Sequence, residues 1–241
     1  FHAFRSKVDL RRESEDLHAR GKSSLYSIFL NQNVFHTENS DIELNYGFDY
    51  NDVFNFQLGD EISRDRLRML RLGLDVDVTD AYGRNIVNND IRFGLSDLFA
   101  GLESVDARAS RDGAGGKFIK DELYLMRLQK MPWESVLLWK NHFQISPYVL
   151  PASEQFQIGG IANVRGYPPA EAVGDEGYSM VWEWSFPFYF IPRDMKLPVS
   201  GAKLYDALRF DFLYDWGHTH LHRPLTGEEK HKTLRSAGFG L

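Results

Sequence analysis

A single arginine, Arg165, lies in a segment of glycine, proline and small residues, and it is well suited to bind carboxylates. Gly166 follows it directly, and Pro168-Pro169 stiffen the way out of the segment. A guanidinium offers five donors in a planar fork, so it engages two carboxylates at once, which lysine does not do. Glycine permits positive φ and close backbone approach. We therefore expect this loop to fold back into a polar interior, where Arg165 meets acids on neighbouring strands.

Other groups with chemical potential are weaker candidates. His218, His220 and His222 alternate, so they would share one side of an extended segment and could bind a metal, but histidines at a strand end are more often simply hydrated. The run GAGG, residues 113–116, lacks the lysine and the strand-helix context of a phosphate loop and indicates loop flexibility. No G-x-S-x-G elbow occurs, and no carboxylate pair stands in an apolar pocket. We expect no catalytic residue, no metal and no cofactor, and hence no enzyme.

The elements that must position Arg165 alternate with period two. Between Ile42 and Tyr50, large apolar residues occupy every second position and mainly polar residues occupy the others. The same pattern runs from Leu70 to Val78, from Tyr178 to Phe188 and from Leu208 to Trp216. Helical spacing does not produce it. The predicted strands are 3–14, 22–36, 41–57, 65–80, 84–97, 119–131, 135–149, 176–190, 203–217 and 232–241.

The lengths of these strands favour a membrane. Many exceed the roughly 5–6 residues of soluble sheets, whereas a tilted strand crossing a bilayer needs about 9–11. Short links alternate with long ones at 98–118, 150–175 and 218–231, as the periplasmic turns and extracellular loops of outer-membrane barrels do. The link at 191–202 departs from this rule, since it is long although alternation places it on the periplasmic side, where the other links are short. The fold class is therefore all-β, a transmembrane antiparallel β-barrel.

Composition agrees and excludes other classes. Aromatic residues make up 14% of the chain, it has no cysteine, and its net charge is −6 with basic and acidic residues interspersed. These values exclude a disulfide scaffold and argue against nucleic acid as a partner. A soluble sandwich or lipocalin-like barrel also alternates, but it would have to pack a strand face of consecutive large aromatic residues into a small interior. Those residues suit lipid contact and interfacial aromatic belts.

The loop that contains Arg165 resembles the loop of the two-partner secretion transporters (TpsB, haemolysin-activator or ShlB type), which share a superfamily with the barrel-assembly protein BamA. Three elements carry the resemblance, and the last of them is more typical of the TpsB branch. They are the pair Gly159-Gly160, the tetrad Val164-Arg165-Gly166-Tyr167, and the run Gly174-Asp175-Glu176-Gly177-Tyr178 that leads into the next strand.

The resemblance implies that the tetrad lies at the tip of a loop, residues 150–175, that re-enters the lumen of a barrel of about sixteen strands. It also implies that acids on the two following strands hold the arginine, and the matching positions are Glu183 and Asp215. Alternation places both on polar faces, between aromatic neighbours. The family's phenylalanine two residues before the aspartate is Leu213 here, so this chain departs from the family pattern in the ring but not in the charge. Each charge pair contributes at most about 4 kcal/mol before desolvation is subtracted.

The resemblance further implies what the chain does and how much of a transporter it covers. We expect residues 1–241 to form the C-terminal part of a barrel domain, from about the fifth strand to the fourteenth, without POTRA domains, the first strands or the last two. The expected function is translocation of an unfolded exoprotein across the bacterial outer membrane; a BamA-like assembly factor and a passive porin are the alternatives. The expected partners are the secreted exoprotein, outer-membrane lipid and periplasmic chaperones, with no nucleic acid.

Overall fold

A computed structural model gives the fold of residues 2–9, 20–196, 201 and 203–241, with side chains described from residue 20 onward except at position 206. Within these ranges, no helix has both the length and the apolar character needed to cross a membrane. Strands form most of the structure. They are β1 (His2–Asp9), β2 (Arg20–His36), β3 (Ser40–Gln57), β4 (Asp60–Asp80), β5 (Gly83–Gly94), β6 (Phe118–Lys130), β7 (Val136–Ile145), β8 (Phe156–Ile158), β9 (Ala172–Gly174), β10 (Glu176–Pro187), β11 (Arg209–His220) and β12 (His231–Gly240).

Ten of these strands form one antiparallel sheet in the order β1-β2-β3-β4-β5-β6-β7-β10-β11-β12. The two short strands, β8 and β9, pair only with each other, inside the connection between β7 and β10. That connection does not interrupt the sheet, because β7 and β10 pair directly from Gln144 opposite Gly177 to Val136 opposite Ser185. Among the described residues, β1 and β12 each pair with one neighbour, so the sheet is open.

The ten predicted sheet strands are confirmed, with ends displaced by a few residues. The prediction for 203–217 was wrong at its start, where a single helical turn, α1 (Leu204–Ala207), precedes β11. This segment packs against the turn before β7, since the hydroxyl of buried Tyr205 donates to Glu134 Oε2 at 3.1 Å. The predicted residues 10–14 of the first strand, and most of the connection near 197–202, lie outside the described residues.

The two faces of the sheet have opposite character. Side chains such as Leu72, Trp182 and Phe212 project from one face and remain exposed, at 46%, 43% and 53%. On the other face, Asp49 and Asp215 are buried, at 5% and 1% exposed. A soluble sandwich would bury the apolar face, whereas a lipid-facing barrel wall exposes it. The soluble alternative is therefore excluded by the direction of the side chains.

Two small apolar clusters lie on the polar face rather than in a central core. The first places the connection between β5 and β6, residues 95–117, over β4, and comprises Leu67, Met69, Leu102, Phe118 and Leu150. The second places the connection between β7 and β10 against the sheet, and comprises Phe156, Ile158, Val164, Ala172 and Leu234. Each cluster fixes one long connection, so these connections are packed parts of the fold.

The hairpin of β3 and β4 extends to the end of the sheet where the long connections lie. Its turn uses Leu58 and Gly59, both with positive φ, which suits the twist of a two-residue hairpin. Residues 58–64, which the sequence did not assign to a strand, mostly continue this hairpin. The amide of Arg64 donates to Arg108 O at 2.7 Å and the amide of Leu102 to Arg66 O at 2.9 Å. The hairpin therefore supports the connection at 95–117.

Candidate functional site

The connection between β7 and β10, residues 146–175, folds back along the polar face of the sheet. Its short strands β8 and β9 lie against β11. Gly217 of β11 leaves the room that this requires: a Cβ atom there would lie 2.9 Å from Val164 Cγ2 and 3.1 Å from Ile158 Cγ2. The connection starts four residues before the expected loop range of 150–175, because β7 ends at Ile145.

Positive φ angles at three glycines shape the tip of this connection. Gly159, Gly160 and Gly166 have φ of 108°, 89° and 87°. A Cβ atom on Gly159 would lie 2.3 Å from Pro168 O, whereas nothing lies within 4 Å of the corresponding position at Gly166. The first glycine is therefore needed for space as well as conformation, and Gly166 for conformation alone. The amide of Gly160 donates to the carbonyl of the tetrad tyrosine at 3.0 Å and closes the tip.

Arg165 contacts both predicted acids. Its Nε donates to Asp215 Oδ2 at 2.8 Å, its Nη2 to Asp215 Oδ1 at 2.7 Å, and its Nη1 to Glu183 Oε2 at 2.9 Å. The backbone amide of Arg165 also donates to Asp215 Oδ2, at 3.0 Å, and Ser236 Oγ donates to the same atom at 3.2 Å. The hydrogen bonds that Arg165 donates to Asp215, and then to Glu183, raise the pKa of Arg165 above its ordinary value. The arginine is held as a cation by a planar, two-sided contact.

The other members of the tetrad hold the tip against the wall. Val164 is fully buried in the second apolar cluster, and Tyr167 packs against its edge. The hydroxyl of Tyr167 donates to Arg235 O at 3.3 Å on β12. Leu213 stands directly opposite Glu183 in the register of β10 and β11, which is where the resemblance places a phenylalanine. An aliphatic side chain therefore flanks the arginine site at this position.

The run from Gly174 to Tyr178 has a different role from the tip, because it joins three connections. Asp175 is fully buried. Its carboxylate accepts hydrogen bonds from the amides of Leu150 and His222, both at 2.8 Å, and pairs with Arg111 of the 95–117 connection. A Cβ atom on Gly177 would lie 2.0 Å from the ring of Phe156, and one on Gly174 would lie 2.8 Å from His220 N. Both glycines thus permit close packing.

Sequence reasoning missed a second ionic site on the polar face. Glu154 is buried in the 146–175 connection, and its Oε2 lies 2.9 Å from Lys120 Nζ and 3.2 Å from Arg92 Nη1. Alternation on β5 and β6 could have placed Arg92 and Lys120 on the polar face. Nothing in the sequence pairs them with Glu154, which lies 34 residues after Lys120 in an irregular segment.

The weaker candidates have structural roles. His218 and His220 lie within β11, and the ring of His220 stacks on that of His231 with centroids 4.6 Å apart. Among the described residues, no group of three or more histidine or carboxylate side chains is arranged to hold a metal ion. The interpretation of GAGG as a source of flexibility was wrong. A Cβ atom on Gly115 would lie 2.3 Å from Ser104 O, so this glycine is packed against backbone.

Long antiparallel strands, an exposed apolar face, a polar opposite face and a connection folded onto that polar face together define the wall of an outer-membrane β-barrel with a re-entrant loop. A comparison with protein-family models matches residues 3–241 to the family described as haemolysin secretion/activation protein ShlB/FhaC/HecB. The chain belongs to this family, the two-partner secretion transporters of the bacterial outer membrane.

Solved structures with the same fold include CdiB from Escherichia coli, with a TM-score of 0.69, 18% sequence identity and 98% of this chain covered. CdiB from Acinetobacter baumannii has a TM-score of 0.63 and 15% identity, again over 98% of this chain. The chain spans less than half the length of these structures, 42% and 39% respectively. A comparison with curated protein sequences finds no significant match.

Proposed function

We propose that the protein of which this chain forms part translocates an unfolded exoprotein from the periplasm to the cell surface, and that the loop at 146–175 controls its passage. The contact of Arg165 with Asp215 and Glu183 carries the proposal, because it holds the loop inside the lumen by a site that can be opened. A cavity of about 300 Å³ lies beside the tip, and its lining includes the polar side chains of Lys140, His142 and Asn163. A segment of extended chain would enter on this polar side.

The contact of Arg165 with the two acids is weak enough for the loop to be released. The side chains of Arg165 and Glu183 are partly exposed, at 24% and 33%, so water can replace part of their pairing when the loop leaves. Each hydrogen bond to a charged group contributes about 1.5–3 kcal/mol, and a few such bonds keep the docked state dominant. A substrate that offsets a few kcal/mol by its own contacts shifts the population toward the released state. The loop can therefore respond to the substrate without nucleotide hydrolysis.

No step of this mechanism requires bond-making chemistry. The proposed protein is a pore and not an enzyme, and it uses no metal or cofactor. The proposed partners are the exoprotein in the lumen, lipid on the exposed apolar face and periplasmic chaperones that keep the exoprotein unfolded. We also propose a domain organisation, in which residues 1–241 form the C-terminal part of the barrel domain and other segments of the protein recruit the substrate.

The test is secretion of the co-encoded exoprotein by a full-length transporter that carries Arg165→Ala, with Arg165→Lys as the matched control. We expect Arg165→Ala to impair export strongly and Arg165→Lys to impair it less, since lysine keeps the charge but loses the planar contact with two acids. Unchanged export combined with altered small-solute conductance would favour a passive porin. Unchanged export combined with loss of other outer-membrane proteins would favour an assembly factor.

A further inference from the structure

The 146–175 connection is held to the wall at two separate places that differ in burial. The tip is held by Arg165, as described above. The loop root, defined as residues 146–155 together with Asp175, is held by Glu154 and Asp175. Both root carboxylates are buried, with side chains 5% and 0% exposed. At the tip Asp215 is equally buried, at 1%, but the side chains of Arg165 and Glu183 are 24% and 33% exposed.

The two parts of the root, residues 146–155 and Asp175, are hydrogen-bonded to a common residue of the wall. Gln144, at the end of β7, is 1% exposed, and its Nε2 donates to Glu154 O at 3.1 Å and to Asp175 O at 3.0 Å. One amide group therefore joins the outgoing and the returning chain. Lys120 Nζ donates to the same carbonyl of Glu154 at 3.2 Å, in addition to its ion pair with the carboxylate.

The chain that returns from the hairpin to β10 is held at Asp175. Asp175 accepts from two backbone amides and from Arg111, and its own amide donates to His220 O at 2.8 Å. His222 lies beside it, with Nε2 2.6 Å from Ser146 O at the start of the connection. These contacts involve three different connections of the same end of the sheet, so the root cannot leave without disturbing all of them.

The chain between the two ends of the root has its own internal structure. This hairpin segment, residues 156–174, contains β8 and β9, and it touches the wall through its apolar side chains and through Arg165. Two partly exposed polar contacts to β12 add to these: the Tyr167 hydroxyl donates to Arg235 O at 3.3 Å, and Glu171 pairs with Lys232 at 3.1 Å. The apolar contact depends on Gly177 and Gly217, which leave shallow recesses for Phe156 and Ile158. Such a contact has no directional partners that must be replaced when it separates, unlike the buried carboxylates of the root.

We propose that Glu154, Gln144 and Asp175 are positioning residues that keep the loop root fixed, so that release of Arg165 frees the hairpin segment 156–174 as a unit. This inference rests on the proposed function, which supplies the reason for the loop to open. It adds where the motion starts and ends: the chain bends between residues 154 and 156 and between 174 and 175, and the cap formed by the long connections stays in place.

The test uses the absence of cysteine from the sequence. Single reporters, Ala172→Cys in the hairpin segment and Ser146→Cys in the root, are placed at positions 6% and 0% exposed in the docked state. Each is combined with Arg165→Ala in the full-length protein in outer-membrane vesicles without exoprotein, and the rate of modification by a membrane-impermeant maleimide is measured. We expect the rate at position 172 to rise at least about tenfold, a change of about 1.4 kcal/mol, and the rate at 146 to stay within about twofold.

Root variants provide the converse experiment. Glu154→Gln removes the charge that faces Lys120 and Arg92 while keeping side-chain shape, and Gln144→Leu removes the amide that joins the two ends and serves if the first variant does not fold. We expect either to raise the rates at positions 146 and 172 together. Equal rises at both positions in Arg165→Ala, or a rise at neither, would overturn the inference.

Failure of the proposed function would look different. Normal exoprotein secretion by Arg165→Ala, with labelling as expected, would remove the transport role of the arginine site and leave the fixed root standing. Impaired secretion together with equal labelling at both positions would retain the transport role and disprove the fixed root.

Discussion

Asp215 and Glu183 contribute unequally to the arginine site. Asp215 is 1% exposed and accepts from Arg165 Nε, Arg165 Nη2, the Arg165 amide and Ser236, whereas Glu183 is one-third exposed and accepts a single hydrogen bond from the arginine. A partly exposed ion pair contributes about 0–1 kcal/mol, while hydrogen bonds to a buried charged group contribute about 1.5–3 kcal/mol each. The aspartate is therefore the principal anchor.

This inequality predicts an order of effects. Asp215→Asn should favour release of the loop by about 2–3 kcal/mol, and Glu183→Gln by about 1 kcal/mol or less. Both variants preserve side-chain shape, so each serves as the control for the other. The measurement is the open probability of single channels in planar bilayers. An equal effect of the two substitutions would contradict the assignment of Asp215 as the principal anchor.

A second residue-scale prediction concerns Asp106 in the 95–117 connection. Hydrogen bonds from the Arg108 side chain, helped by the amides of Arg108 and Glu103, hold the pKa of Asp106 at about 2, below its ordinary 3.8. Because the folded pKa is lowered, the stabilisation is present above the ordinary value and is lost as pH falls from about 4 through about 2. The carboxylate should therefore keep this connection ordered down to mildly acidic pH.

Pepsin cleavage within residues 95–117 tests whether this connection loses its order as pH falls, since the protease is active between about pH 4 and about pH 2. Cleavage should be slow near pH 4 and become rapid near pH 2. Asp106→Asn, which cannot ionise, should remove most of the difference between the two conditions. If the variant keeps the same pH profile as the wild type, the order of this connection does not depend on the Asp106 carboxylate.

At the scale of single strands, the two faces predict opposite tolerance to charge. Leu72 of β4 lies on the exposed apolar face, and Asn88 of β5 lies on the polar face opposite Asp75. An arginine on a lipid-facing position costs about 2–4 kcal/mol near the bilayer midplane. Leu72→Arg should lower the free energy of unfolding in lipid vesicles by about that amount, and Asn88→Arg should change it by less than about 1 kcal/mol. Comparable losses would mean that Leu72 does not face lipid.

The strands also show what a sequence can predict. Alternation over nine or more residues fixes both the strand and its face, which is why β3 and β10 were predicted with little error. Strands β8 and β9 have three residues each and no room for a period, so they were missed. The turn α1 was missed for another reason: it depends on a tertiary contact of Tyr205 with Glu134, 71 residues away.

The residues around Arg165 and Glu154 also differ in whether the local sequence marks them or only the tertiary structure does. The tip glycines and Arg165 were found because residue type and spacing limit what such a segment can do. Glu154 was not found, because one glutamate among 34 acidic residues carries no local mark. Its partner Lys120 reaches it only after the chain has turned back along the sheet, so register and loop path must be known first.

At the scale of the whole molecule, the loop and the sheet are separable structures. Strands β7 and β10 pair directly along their length, and the only paired strands within the intervening connection are β8 and β9, which bond to each other. The wall therefore does not need the hairpin segment in order to close its hydrogen-bond ladder. Under the proposed function, the hairpin segment fills the lumen.

Replacement of the tip, residues 159–171, by a short glycine-serine turn should therefore leave the barrel folded and open its lumen. Because β8 and β9 could still pair across the new turn, folding yield and heat resistance should change little, while single-channel conductance and sensitivity to large antibiotics should rise. The control inserts the same glycine-serine turn in place of residues 225–229, an exposed part of the connection that joins β11 to β12. If conductance stays at the wild-type level while the tip is absent, another element fills the lumen and the loop is not its barrier. A protein that no longer folds would show instead that the tip stabilises the wall, contrary to the independent pairing of β7 and β10.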